Sequence, residues 1–308
     1  METLRTIFDP DFLLRYAVYT NLLVGLGCPL VGVFLVLRRL IFMGVALPQI
    51  SSTGVAVALS LPLWMGWEHA AHQGEREHGF AIIGSVVASV LAILVLAFLE
   101  RRHRGLSEGR LGTAYAVATA VSILLLSKNA IAELGWLDLL KGEIIAISGV
   151  DLTATLATFC LVLVTLWVFH KELLLVSFDR AMAVTLRKNV VVWDLVLYLL
   201  IGLTVSSAVL SVGPLVAFGF LVIPVLTARV LAANMRQFFV FSSLIGGATA
   251  LVGFCVAYRF DFPVGPTDVA LSGVVYAAAF TARRIFGFFT SRSHTGRESI
   301  AVNGLAHR

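Results

Sequence analysis

One short stretch inside a hydrophobic run gathers the first residues that could do chemistry. Residues 43–57 read MGVALPQISSTGVAV, which brings Pro48, Gln49, Ser51, Ser52 and Thr53 together with no charge among them. Hydroxyls bond across helix interfaces, and proline removes one backbone donor and kinks a helix. Such a segment either packs closely on its neighbours or lines a path, and residue types alone leave both open. A second group is Glu68, His69 and His72, followed by Glu75, Glu77 and His78. Imidazole and carboxylate bind zinc and similar ions, and His69 and His72 share a face if helical. The spacing fits no closed metal site, so a solvated polar loop competes with a metal-attracting mouth. A third stretch, 136–145, alternates charged and apolar residues and reads as a short interfacial helix anchored by Trp136. Its Glu143 joins His69, His72 and His78 as a candidate metal ligand.

Nothing in the chain assembles an active centre. There is no His-Glu-x-x-His, no evident Ser-His pairing within the apolar runs, and the dipeptide Gly-Lys does not occur. A P-loop is therefore excluded, and any use of ATP falls to a partner. The chain is expected to be neither an enzyme nor the holder of a cofactor.

Stepping from these residues to the elements that hold them, 59% of the 308 residues are hydrophobic and 13% are charged, and the mean hydropathy is +0.94. Globular domains have about 45–50% apolar and roughly 25% charged residues. An all-α polytopic membrane protein follows, since each crossing takes roughly 20 apolar residues. Nine apolar segments stand out, at about 12–37, 41–66, 80–99, 111–127, 152–169, 191–211, 213–233, 238–258 and 266–287, giving eight or nine spans. The first is too long for a cleaved signal core and reads as a span. The seventh opens on Gly213-Pro214 after a break of one or two residues, which is compatible with a partly re-entrant segment. Span centres look nearly free of charge, which weighs against a carrier built on buried carboxylates. Cys28, Cys160 and Cys255 are isolated in apolar runs and read as packing residues.

The 23 Lys and Arg residues divide unevenly between alternate connections, 17 on one set and 6 on the other. The positive-inside rule puts the richer set in the cytoplasm, the N-terminus outside and the C-terminus inside. The same asymmetry accounts for the net charge of +5 without a nucleic-acid partner. One transmembrane domain over 1–287 is expected, followed by a polar, disordered cytoplasmic tail over 288–308.

Several blocks carry a family pattern: LRRLIFMGVALPQISSTGVAVAL (37–59), LLKGEIIAISGVDL (139–152), LLLVSFDRAMAVTLRKN (173–189), and VGPLVAFGFLVIPVLTARVLA (212–232) with the turn FPVGPT (262–267). In that order they resemble the permease subunit of bacterial ABC importers for zinc and manganese. The last block is also similar to permeases of siderophore and cobalamin importers, which share the type II importer fold. The resemblance implies a homodimeric permease of the inner membrane, a cytoplasmic ATPase pair, and an extracytoplasmic binding protein that delivers the substrate. It puts the translocation path along Val45, Gln49, Ser51, Ser52 and Thr53. Two ATPase contacts follow from it, one at Phe178 and Asp179 with the short helix after them, the other at 229–237 with Arg229 and Arg236. By comparison with siderophore-type permeases the second is the main contact. The chain departs from the family at telling positions. Members commonly read Gly-Asp-Ala-Leu-x-His across 44–49, where this chain has Val45 and Gln49 in place of the two ligands. Ala181 stands where an acidic residue is common, and Arg187 where glycine is common. A metal path using Gln49, Ser51 and Ser52, a chelated or siderophore-like cargo, and a non-transporting scaffold or secondary carrier are the competing functions.

Overall fold

The computed structural model describes residues 14–64, 74–102, 108–127 and 149–305. Long apolar runs become helices because a bilayer leaves no water to satisfy backbone groups, and a helix satisfies them internally. In chain order these are α1 (Arg15–Leu37), α2 (Met43–Trp64), α3 (Gly74–Arg102), α4 (Glu108–Leu126) and α5 (Gly149–Val168). Two short helices follow, α6 (His170–Phe178) and α7 (Arg180–Thr185). The last four are α8 (Val190–Val212), α9 (Pro214–Leu231), α10 (Met235–Phe260) and α11 (Val264–Leu305). The described residues contain no strand. Each of the nine apolar segments read from the sequence falls on a long helix, and six helices are long and apolar enough to cross a membrane. The backbone of α11 is helical through 288–305, continuous with the last apolar segment.

Helices α1, α8 and α9 form the centre. Val24, Cys28, Phe34, Val205, Val209, Phe220 and Leu221 pack there in one buried cluster. By contrast α5 is only 22% buried over its apolar window, against 72% for α1. Leu161, Val164 and Trp167 project from it, as Val117 and Leu124 do from α4. Apolar faces left uncovered by protein are what lipid tails cover. Cys28 is a packing residue as expected, whereas Cys160 lies exposed on α5.

Between α8 and α9 the chain turns on Gly213 at φ 84, where glycine avoids the Cβ clash that other residues meet. Pro214 opens α9, where its missing N–H costs nothing. α9 runs 18 residues, about 27 Å at 1.5 Å per residue, and is long and apolar enough to cross a membrane.

Contacts gather the arginine-rich connections at one end of the bundle. Arg38, after α1, reaches Ser177 in α6 and Asp194 in α8. The last turns of α1 and α9 meet the first turn of α10 through Val36, Ala228 and Phe238. Phe42 lies against Gly112 at the start of α4, and Arg283 of α11 donates to the Val230 carbonyl.

Two of these connections place arginine in left-handed backbone. Arg39 has φ 58 and Arg187 φ 56. At Arg187 the Lys188 amide returns to the Ala183 carbonyl at 3.0 Å and the Arg187 amide to Val184 at 2.9 Å, the paired bonds that close a helix on a residue usually glycine. Glycine would make this helix stop freely, and Arg187 makes it under strain. Arg187→Gly is expected to stabilise the protein by up to about 1 kcal/mol. Thermal unfolding checks this; a lower midpoint would show that the arginine makes a contact that outweighs the strain.

Candidate path and coupling face

On α2, Val45, Ile50, Thr53, Val57, Ala58 and Leu59 are partly exposed, while Gln49 is 9% exposed. Val45, Gln49, Thr53 and Val57 follow at steps of four and share one face, which meets α4 at Thr53. This face has no charge, and among the described residues no three His, Cys, Asp or Glu side chains come together as a metal site.

Ser51, Ser52 and Thr53 differ in their surroundings. Ser51 and Ser52 are fully buried. Ser51 bonds Ser85 of α3 hydroxyl to hydroxyl at 2.7 Å. Thr53 donates to its own helix at the Gln49 carbonyl (2.8 Å) and to α4 at the Ala118 carbonyl (3.0 Å), and accepts from Ser122 at 2.9 Å. Ser206 of α8 extends this polar seam to Ser89 at 2.8 Å. Beside it the backbones of Gly54 and Gly84 touch, since a Cβ on either would lie within 2.5 Å of the other's carbonyl oxygen. The hydroxyls of Ser51 and Thr53 therefore hold α2 to α3 and α4, leaving Val45 and Gln49 as the residues of the group that no such bond ties down. His69, His72 and Glu143 lie outside the described residues, and His78 is placed only through the backbone of α3.

At the arginine-rich end, α6 and α7 form an outward step. Asp179 separates them and caps α7, its Oδ1 accepting the Met182 amide at 2.9 Å. Phe178, Met182, Val184 and Leu186 are each more than half exposed. Arg180 pairs with Asp194, which also accepts from Arg38 Nη1 at 2.6 Å. Asp194 thus ties α7, α8 and the end of α1 together. Arg229 and Arg236 are exposed as well, but three residues alone join α9 to α10 there, and the Gln237 side chain folds back onto the Ala233 amide.

Sequence reasoning passed over two carboxylates. Asp194 and Asp268 sit near the ends of apolar segments, where charge attracts little notice, yet the helices begin earlier than those segments and bury both. Asp268 of α11 has no exposure at all. Its Oδ2 accepts from Asn21 Nδ2 of α1 at 2.7 Å, and the same nitrogen reaches the Ala250 carbonyl at 3.2 Å. Asp268 Oδ1 and Asn21 Oδ1 have no partner. The carboxylate reaches α1 only because Gly253 of α10 leaves room, as a Cβ there would stand 2.0 Å from Asp268 Oδ1. Lone polar residues in apolar runs, Asn21 and Asp268 alike, are the signal that could have found the pair. Gly253→Ala is expected to cost about 1–3 kcal/mol by overpacking, and Asp268→Asn less, since an amide keeps the hydrogen bond. Unfolding midpoints in detergent decide the order, and equal losses would mean that the charge itself is required.

Similarity to known proteins agrees with this architecture. The chain is 25% identical over 279 residues to the manganese import system permease protein ScaB of Streptococcus gordonii, covering 91% of this chain and 94% of that one. It is 26% identical over 295 residues to the manganese transport system membrane protein MntD of Bacillus subtilis, covering 91% and 95%. The solved structure of PsaBC from Streptococcus pneumoniae in complex with Fab superposes with a TM-score of 0.75 at 24% identity, over 91% of this chain and 94% of that one. The model of the ABC 3 transport family matches residues 11–283, so nearly every helix described above lies within its reach, and the chain belongs to that family.

Proposed function

We propose that this chain is the membrane permease subunit of an ATP-binding-cassette importer for a transition-metal cargo of the manganese type. Family membership over residues 11–283 carries this reading, together with relatives named as manganese permeases. The permease is residues 1–287, with 288–308 as a polar tail in the cytoplasm. The arginine-rich end of the bundle is the cytoplasmic one, by the positive-inside rule. ATP is hydrolysed by a separate cytoplasmic subunit, an outer binding protein delivers cargo, and two copies of this chain frame the path. That path runs along the α2 face of Val45 and Gln49.

The main ATPase contact is α7, rather than the tight link between α9 and α10. A short capped helix with exposed Phe178, Met182 and Val184 gives a partner an apolar grip. Its movement passes through Arg180 to Asp194 and Arg38, then through the turn 38–42 into α2. Met182→Glu is expected to lower uptake at least tenfold while leaving insertion and the unfolding midpoint unchanged; normal ATP-coupled uptake by this variant would remove α7 from the coupling role.

A second reading changes the cargo. The α2 face offers a passing ion neutral oxygen only, and glutamine is a poor ligand for divalent transition metals. This favours cargo that arrives already chelated. The test is ATP-dependent uptake into proteoliposomes holding the permease, its ATPase and its binding protein, with manganese, zinc and an iron chelate supplied in turn. Uptake of bare manganese supports the first reading, and uptake of the chelate alone supports the second. Uptake that needs no ATPase would make the chain a secondary carrier and end both.

A further inference from the structure

A cavity of 290 Å³ opens at the arginine-rich end, between the turn that follows α1 and the α6–α7 step. Arg38, Arg39, Ser177, Phe178, Arg180 and Tyr198 line it, with aliphatic side chains between them. Pockets for small ligands begin at about 300 Å³. Three arginines therefore border the cavity, and the Asp194 carboxylate pairs with two of them. Arg38 gives Nη1 to Asp194 and Nε to Ser177, and its Nη2 has no hydrogen-bond partner. Arg39 is exposed and held at φ 58, so the chain keeps an arginine where glycine would relieve strain.

We propose that this cavity binds a phosphate-bearing anion. Guanidinium groups present planar forks of N–H donors that match phosphate oxygens, and several around one cavity suit a group with several anionic oxygens better than a lone carboxylate. Phe169 and Trp193, with ring centroids 5.2 Å apart, stand at the same end, and aromatic pairs of this kind favour the headgroup region. Two sources share the chemistry, an anionic phospholipid headgroup and soluble phosphate. The site does not depend on the cargo, and its test involves no transport.

The full chain is placed in nanodiscs of phosphatidylcholine, of phosphatidylcholine with phosphatidylglycerol, and of phosphatidylcholine with inorganic phosphate at matched ionic strength. Thermal midpoints and lipid retained in native mass spectrometry are read for the wild type, Arg39→Asn, Arg39→Lys and the control Arg284→Asn. Asparagine tolerates left-handed backbone, so Arg39→Asn keeps the turn. The expected result is a raised midpoint with one of the two anions. Arg39→Asn should weaken that binding about fivefold, Arg39→Lys should retain most of it, and Arg284→Asn should match the wild type. A response to phosphatidylglycerol alone identifies a lipid headgroup, and a response to inorganic phosphate identifies the soluble anion. No response to either overturns the site, as does equal loss in Arg284→Asn, which would indicate bulk surface charge. If neither anion acts but Arg39→Asn weakens ATPase binding, an acidic side chain of that subunit fills the cavity and the proposal fails.

Discussion

Gly84→Val is expected to prevent recovery of folded protein. A Cβ at residue 84 would lie 2.4 Å from the Gly54 carbonyl oxygen and 2.5 Å from the Ala58 Cβ. Neither is the movable tip of a flexible side chain, so α2 and α3 must separate as bodies. Overpacking costs about 1–3 kcal/mol where side chains can yield, and more where backbones must move. Separation would also stretch the 2.7 Å bond between Ser51 and Ser85, worth about 1 kcal/mol. In a bilayer, van der Waals contact and such bonds carry much of the association between helices, because lipid tails are as apolar as leucine. Fluorescence-detected size exclusion and thermal unfolding read the outcome, with Gly84→Ala falling between wild type and Gly84→Val. A Gly84→Val protein that elutes and melts like the wild type would show that the close approach of these helices is dispensable.

Arg38→Met should be nearly as damaging, with a different signature. The Arg38 and Asp194 side chains are 9% and 13% exposed. Breaking a buried pair from one side costs about 3–5 kcal/mol, because the remaining charge stays out of water. Arg180 still faces Asp194, so the lower end of that range applies. The double variant Arg38→Met with Asp194→Leu removes the stranded charge and should recover part of the stability; Arg180, whose side chain is 53% exposed, can turn to water. Coupling should not recover, since the link between α7 and α1 has gone in both variants. Midpoints are compared with the ratio of ATP hydrolysed to cargo moved. Recovery of that ratio in the double variant would mean that Asp194 and Arg38 stabilise the bundle without transmitting movement.

Much of the architecture was legible because a bilayer imposes it. The apolar segments align with the nine long helices among the described residues, and the uneven distribution of lysine and arginine matches connections that the contacts place at one end. The site was legible only in part. The residue types of 43–57 pointed to α2, yet the same serine and threonine types serve packing and path equally well, and their partners Ser85, Ala118 and Ser122 lie on other helices. Asp179 before α7 could be read as a helix cap from its residue type, whereas the exposure of Phe178 and Met182 and the link from Arg180 to Asp194 follow from packing.

From residue types alone came the helical membrane class and the absence of a P-loop, because each depends on what the chain contains locally. Tertiary structure decided which hydroxyls are tied to neighbouring helices. It also brought Asn21 to Asp268, 247 residues apart, and Arg38 to Asp194, 156 residues apart. A local pattern records the side chain but not its partner, and in a membrane protein the partner determines whether a buried polar group is a bond, a strain or a site.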